Sequence, residues 1–201
     1  MTELIINLIA WGGYLGIFLL MAAENVFPPI PSEVIMGLGG IAVAREQMAF
    51  VPLILWGTAG TVAGNYFWYE IGRRCGYRRL KPFVDRHGRW LTMDWHEVEK
   101  LKSYFDRWGG PTVLIFRFMP VGRTVISIPA GLMHMPFWRF VGYTAVGSII
   151  WNVILVGVGF WLGATVEDIE HWVAPVIITI VVAIVAIYLW RVFTWKPQDH
   201  L

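Results

Sequence analysis

The 201-residue sequence contains one cysteine, Cys75, which excludes an internal disulfide and a metal site built from several thiolates. Charge is scarce as well: 15% of residues are charged, against 57% hydrophobic, with 12 Trp and 12 Phe. That balance and a positive mean hydropathy place the chain among integral membrane proteins. The five histidines are scattered. His96-Glu97 has no second histidine at i+4, so the zinc-protease helix signature is missing. Ser127 and Ser148 lack both a partner histidine and a Gly-x-Ser-x-Gly elbow, which argues against an intramembrane serine protease. A membrane lipid-phosphate phosphatase would need a nucleophilic histidine and a second His–Asp pair. Here Pro31-Ser32 leads into Glu33 rather than Gly-His. Only His134 falls in an expected membrane segment, where it reads as an interfacial side chain. These absences predict no catalytic set, no metal and no cofactor. Residues 1–23 have neither a basic n-region nor a small-x-small cleavage site before Glu24, and are read as a retained first helix.

What is present is a series of long apolar runs. Leu4–Ala23 is long enough to cross a hydrocarbon core of roughly 30 Å. Pro52–Ile71 is another candidate crossing, with Gly57, Gly60 and Gly64 at the spacing of close helix packing. Phe140–Leu162 and Val173–Trp190 complete four expected crossings. From Arg73 to Arg107 the chain turns polar and holds ten of its 16 basic residues, which the positive-inside rule assigns to the cytoplasm. Within that loop Trp95, Val98, Leu101, Tyr104, Phe105 and Trp108 recur at three- and four-residue spacing, predicting an amphipathic helix ended by Gly109-Gly110-Pro111. Glu167-Asp168-Ile169-Glu170 is a short acidic loop expected outside, while Arg191 and Lys196 fall inside.

Two apolar stretches are interrupted. The first has Glu24, prolines at 28, 29 and 31, Glu33, and then only eleven apolar residues, Val34–Ala44. That is too short to cross and suits half of a re-entrant hairpin. The second runs from Val113 to Met135 and carries Arg117, Pro120, Arg123 and Pro129. An arginine at the bilayer centre costs roughly 2.5–3.5 kcal/mol on insertion scales, so these arginines are functional candidates. The stretches share an order of charge, proline, charge, apolar run and glycine, and a glycine-rich crossing follows each. With opposed orientation they form an expected inverted repeat. The expected architecture is one all-α integral membrane domain, 1–201, with four full crossings and two opposed re-entrant helical hairpins. The first repeat is 1–72 with its hairpin at about 24–45, the basic loop is 73–110, and the second repeat is 111–195 with its hairpin at about 111–137. Both termini are then cytoplasmic.

Charge type differs between the hairpins. Glu24 and Glu33 could compensate Arg117 and Arg123 as a purely structural lock. The functional reading has the arginines clamp a phosphate through their planar forks, while a released carboxylate takes a proton. Half-helix N-termini would add a favourable dipole for the anion. Residues alone leave lock and clamp open. Pro28, Pro29, Pro31, Pro120 and Pro129 are the expected hairpin breakers.

The run Phe116-Arg117-Phe118-Met119-Pro120-Val121-Gly122-Arg123-Thr124, then Ala130-Gly131-Leu132-Met133-His134-Met135-Pro136, Phe140 and Gly147–Trp151, resembles the DedA family of membrane proteins. Glu24-Asn25, Pro31-Ser32-Glu33 and Gly64-Asn65…Tyr69-Glu70-Ile71-Gly72-Arg73 are similar to its earlier motifs. The resemblance covers about residues 14–163. It implies a re-entrant-hairpin fold and lipid movement across the bacterial inner membrane, notably return of undecaprenyl phosphate, with coupling to the proton motive force in several members. Other members are tied to phosphatidylethanolamine or to general scrambling. The family's acidic pair maps onto Glu24 and Glu33, and its arginine pair onto Arg117 and Arg123. Two positions depart from the pattern: Glu33 stands where members often have Asp after Gly, and Asn65 where some carry Asp. The implied partners are an anionic lipid and the bilayer, with no nucleic acid, and a homo-oligomer left open. The rival to a transporter is a scaffold whose basic loop recruits anionic lipid or protein partners.

Overall fold

The computed structural model describes residues 2–26, 32–91, 95–118, 123 and 126–165, with five single positions from 179 to 190. Among the described residues there are helices and turns and no strand. In chain order the helices are α1 (Thr2–Val26), α2 (Ser32–Ala44), α3 (Phe50–Leu91), α4 (Trp95–Trp108), α5 (Pro111–Phe116), α6 (Ser127–Leu132) and α7 (Phe137–Thr165). Pro28, Pro29, Pro31 and Pro120 lie outside the described residues, as do the acidic loop 167–170 and most of the last expected crossing. The positions described within that crossing, Thr179, Val182, Ala183, Ala186 and Trp190, are helical.

Among the described residues, α7 is the one helix both long and apolar enough to cross a membrane. Val146, Ile149, Ile150, Val153, Ile154, Val158, Phe160 and Trp161 are all exposed on it. An outward surface so continuously apolar suits hydrocarbon rather than water. Gly12–Val26 and Ser32–Ala44 are apolar but shorter. The first expected crossing is not one unbroken helix: Gly13 breaks α1 with a φ of +51°, a conformation that costs a residue without Cβ little. α3 also differs from expectation, because it runs past Ile71 through the arginine-rich stretch to Leu91, interrupted at Gly76. Arginine and lysine favour helix, so a basic composition says which side of a membrane the segment occupies without ending the helix.

The chain divides into two compact units, Met1–Asn65 with Thr144–Val182, and Tyr66–Tyr143 with Ala183–Leu201. The core of the first unit joins Ile17, Leu20 and Met21 of α1, Val34, Ile35 and Met36 of α2, Leu53 and Ile54 of α3, and Val156 of α7. Its helices approach to backbone contact at glycines. A Cβ on Gly60 would strike the Phe18 carbonyl, one on Gly64 would lie 2.7 Å from Asn25 Cβ, and one on Gly40 would meet Val156 O. The glycine spacing at 57, 60 and 64 therefore does serve close packing. Tyr14 Oη accepts a 2.8 Å hydrogen bond from Ala49 N and ties α1 to the turn before α3.

The second unit is centred on Tyr69, which is fully buried with Phe105, Val113, Ile126, Ala130, Met135 and Phe140 around it. The Tyr69 ring stacks on Phe140 at 4.4 Å between centroids, and its hydroxyl donates to Met135 O at 2.6 Å. Here too glycines bring backbones together: a Cβ on Gly131 would meet Tyr69 O, and one on Gly72 would meet Ile128 O. α4 forms where the sequence places it, and of its expected apolar face Phe105 is buried while Tyr104 and Trp108 are exposed. It ends where Gly109, at φ +59°, returns its N–H to Phe105 O at 2.7 Å.

Candidate functional site

Glu24 lies in the last turn of α1 and is only 4% exposed. Its burial follows from the helix pairing. Gly60 and Gly64 let α1 lie against α3, and that brings Asn25 within reach of Asn65. Asn65 Nδ2 donates to Asn25 Oδ1 at 2.6 Å and to Thr61 O at 2.8 Å. Asn25 Nδ2 in turn donates to Met21 O at 2.8 Å and to Glu24 Oε2 at 2.9 Å. A buried carboxylate needs donors, and the two amides supply a chain of them.

The polar surroundings continue along α3 and α7. Thr61 Oγ1 donates to Gly57 O at 3.0 Å, and Asn152 Nδ2 donates to Thr58 Oγ1 at 3.2 Å. Thr58, Thr61 and Asn65 on α3, and Thr144, Ser148 and Asn152 on α7, are all buried. Within otherwise apolar segments these six polar residues recur every three, four or seven positions, so each set occupies one helix face.

Glu33 also belongs to this first unit. It is half-buried in the first turn of α2, where the positive end of the helix dipole favours a carboxylate. The N-terminus expected to favour a ligand anion thus begins with an acid of the chain itself.

Arg117 and Arg123 belong to the second unit. Arg117 is 3% exposed and follows the six-residue α5, one turn after the fully buried Val113. Its backbone N–H reaches Val113 O at 3.2 Å. A guanidinium at a helix C-terminal end meets the negative end of the dipole, so the position suits the charge. Arg123 is helical and half-buried. Pro129 sits in the first turn of α6, where a missing N–H removes no helical bond, and its carbonyl accepts from Met133 N at 2.9 Å.

The structure thus gathers Glu24 with Asn25 and Asn65, and orders Arg117 beside the core of its own unit. Asn25 and Asn65 were legible only as motif positions. The signal that singles them out is the polar face Thr58, Thr61, Asn65 within an apolar run, which must find partners on another helix. Among the described residues, no three His, Cys, Asp or Glu side chains gather as a metal site requires.

The VTT-domain family model matches residues 30–160. The chain is 34% identical over 195 residues to undecaprenyl phosphate transporter A of Bacillus subtilis (strain 168), covering 94% of each chain. It is 33% identical to the Staphylococcus aureus (strain NCTC 8325 / PS 47) protein of the same name, over 84% of this chain and 81% of that one. An alkaline phosphatase-like protein of Lactococcus lactis subsp. cremoris (strain MG1363) shares 36% identity over 84% of this chain and 79% of its own. No solved structure matches. A family match over residues 30–160, together with relatives above 30% identity along most of the chain, makes this protein a member of the VTT-domain, or DedA, family.

Proposed function

We propose that this protein moves a phosphate-bearing lipid, undecaprenyl phosphate first among candidates, across the bacterial inner membrane, with coupling to the proton gradient. The observation that carries the reading is similarity along 94% of both chains to a relative named for that transport. The buried Arg117 supports it, because a guanidinium in an apolar protein is a costly group whose planar fork matches a phosphate. In this reading Arg117 and Arg123 hold the phosphate while the polyprenyl chain stays in hydrocarbon. Glu24 or Glu33 takes up a proton and releases it. Four crossings and two re-entrant segments, with both termini cytoplasmic, remain the architecture we favour.

A glycerophospholipid such as phosphatidylethanolamine presents the same chemistry, a phosphate on apolar chains. The deciding experiment is head-group translocation in liposomes containing the purified protein, with each lipid, with and without a pH gradient. Gradient-dependent translocation of undecaprenyl phosphate is expected. Equal movement of both lipids without a gradient would make the protein a scramblase, and no movement of either would leave the scaffold reading. Glu24→Gln should uncouple translocation from the gradient; unchanged gradient dependence would remove Glu24 from the proton role.

A further inference from the structure

The hydrogen-bond chain that reaches Glu24 has a direction. Asn65 meets the Thr61 carbonyl, which can only accept, so the amide group facing it is Nδ2. The other hydrogen of that nitrogen goes to Asn25 Oδ1. Asn25 must then offer its own Nδ2 on the opposite side, where Met21 O, again an acceptor only, and Glu24 Oε2 receive its two hydrogens. Turning either amide over would set an oxygen against a backbone carbonyl. Two main-chain groups, Thr61 O and Met21 O, therefore fix the polarity of the whole chain. The three side chains are 4%, 1% and 0% exposed, so water does not substitute for a misdirected amide.

We propose that Asn25 and Asn65 are positioning residues, a directional amide relay that keeps an N–H donor on Glu24 Oε2 while Glu24 gains and loses its proton. The proposal rests on the reading of Glu24 as a proton-exchanging group. The proton that Glu24 gains and loses forms and breaks one O–H bond, while Thr61 O and Met21 O hold the direction of the two amides. Helix glue alone, with two amides joining α1 to α3, would be indifferent to which kind of group stands at position 24.

Reversal of polarity tests this. Asn65→Asp is nearly isosteric, and in its ionised form offers only acceptors. Asn25 can then pair with position 65 only by turning over, which sets its Oδ1 against Glu24 Oε2. Glu24→Gln in the same chain supplies an N–H to the turned amide. In purified protein, Asn65→Asp should lower the thermal unfolding midpoint by several degrees, and adding Glu24→Gln should recover at least half of that loss. A double variant whose loss equals the sum of the two single losses would overturn the relay.

Should Asn65→Asp fail to accumulate, infrared difference spectra serve instead. The carboxylate band that disappears in Glu24→Gln should shift by a similar amount in Asn25→Ala and in Asn65→Ala; a band unmoved in both would likewise overturn the relay. Neither measurement involves transport. A Glu24→Gln protein that keeps its gradient dependence in liposomes would remove the proton role while leaving the amide coupling to be read by itself.

Discussion

In the unit that contains Glu24, a carboxylate is lowered into an apolar core beside two amides, which meet because Gly60 and Gly64 let one helix rest on another. In the unit that contains Arg117, a guanidinium follows a six-residue helix whose Val113 is anchored in a cluster of aromatic and aliphatic side chains around Tyr69. Both charges are buried, at 4% and 3% exposure, and both units rely on glycines for backbone contact. They differ in local setting. The acid receives a hydrogen bond from an amide chain of defined polarity, and the base stands at the negative dipole end of a short helix. In the proposed function, an acid that gains and loses a proton profits from donors that stay fixed through the change, and a base that accepts and releases an anion profits from a seat that is rigid in shape.

The largest effect expected is on the basic side. Arg117→Ala should reduce phosphate-lipid translocation in liposomes to the level of protein-free vesicles, and Arg117→Lys should restore little, since an ammonium lacks the planar fork. Normal insertion with full transport in Arg117→Ala would reduce the arginine to a structural residue. The glycine contacts come next. Gly60→Val in one unit and Gly131→Val in the other each push a side chain into the neighbouring helix backbone, and should each lower stability by about 3 kcal/mol. A Gly60→Val protein of normal stability, measured by thermal unfolding in detergent, would contradict the helix contact that draws Asn25 to Asn65. Tyr69→Phe, which leaves the Met135 carbonyl without its donor, should destabilise by about 1 kcal/mol with transport intact. The smallest effect belongs to the exposed pair in which Arg74 Nε donates to Glu70 Oε1 at 2.6 Å. Glu70→Gln should change stability by no more than about 0.5 kcal/mol, and less at high salt.

Local pattern carried much of the fold into the sequence. Trp95 and Trp108 bound α4 as the apolar spacing predicts, Gly109 ends it, and the apolar run Val34–Ala44 becomes α2 from Ser32. The break at Gly13 was hidden because a twenty-residue apolar run satisfies the length of a membrane crossing whether or not its glycine stays helical. The extension of α3 to Leu91 was hidden because charge, read as loop, is compatible with helix. At the candidate site the charged residues were visible, since an ionised group in an apolar run stands out by itself. The amides were not, because an Asn25–Asn65 bond spans forty positions and depends on how closely two helices approach. Glycine spacing announces that two helices touch without naming the partner or the register.

The brevity of α5 has a mechanical side. Six residues make fewer than two turns, too few for a helix to persist without support from its surroundings. The position of Arg117 is therefore inherited from Val113 and the side chains packed around it, so the order of the arginine and the order of that cluster rise and fall together. If Arg117 holds the lipid phosphate as proposed, substitutions at Phe105, Ile126 or Phe140, none of them charged, would be felt as weaker capture of lipid before they are felt as unfolding. Amide exchange at 113–117 would then report how often the cluster loosens.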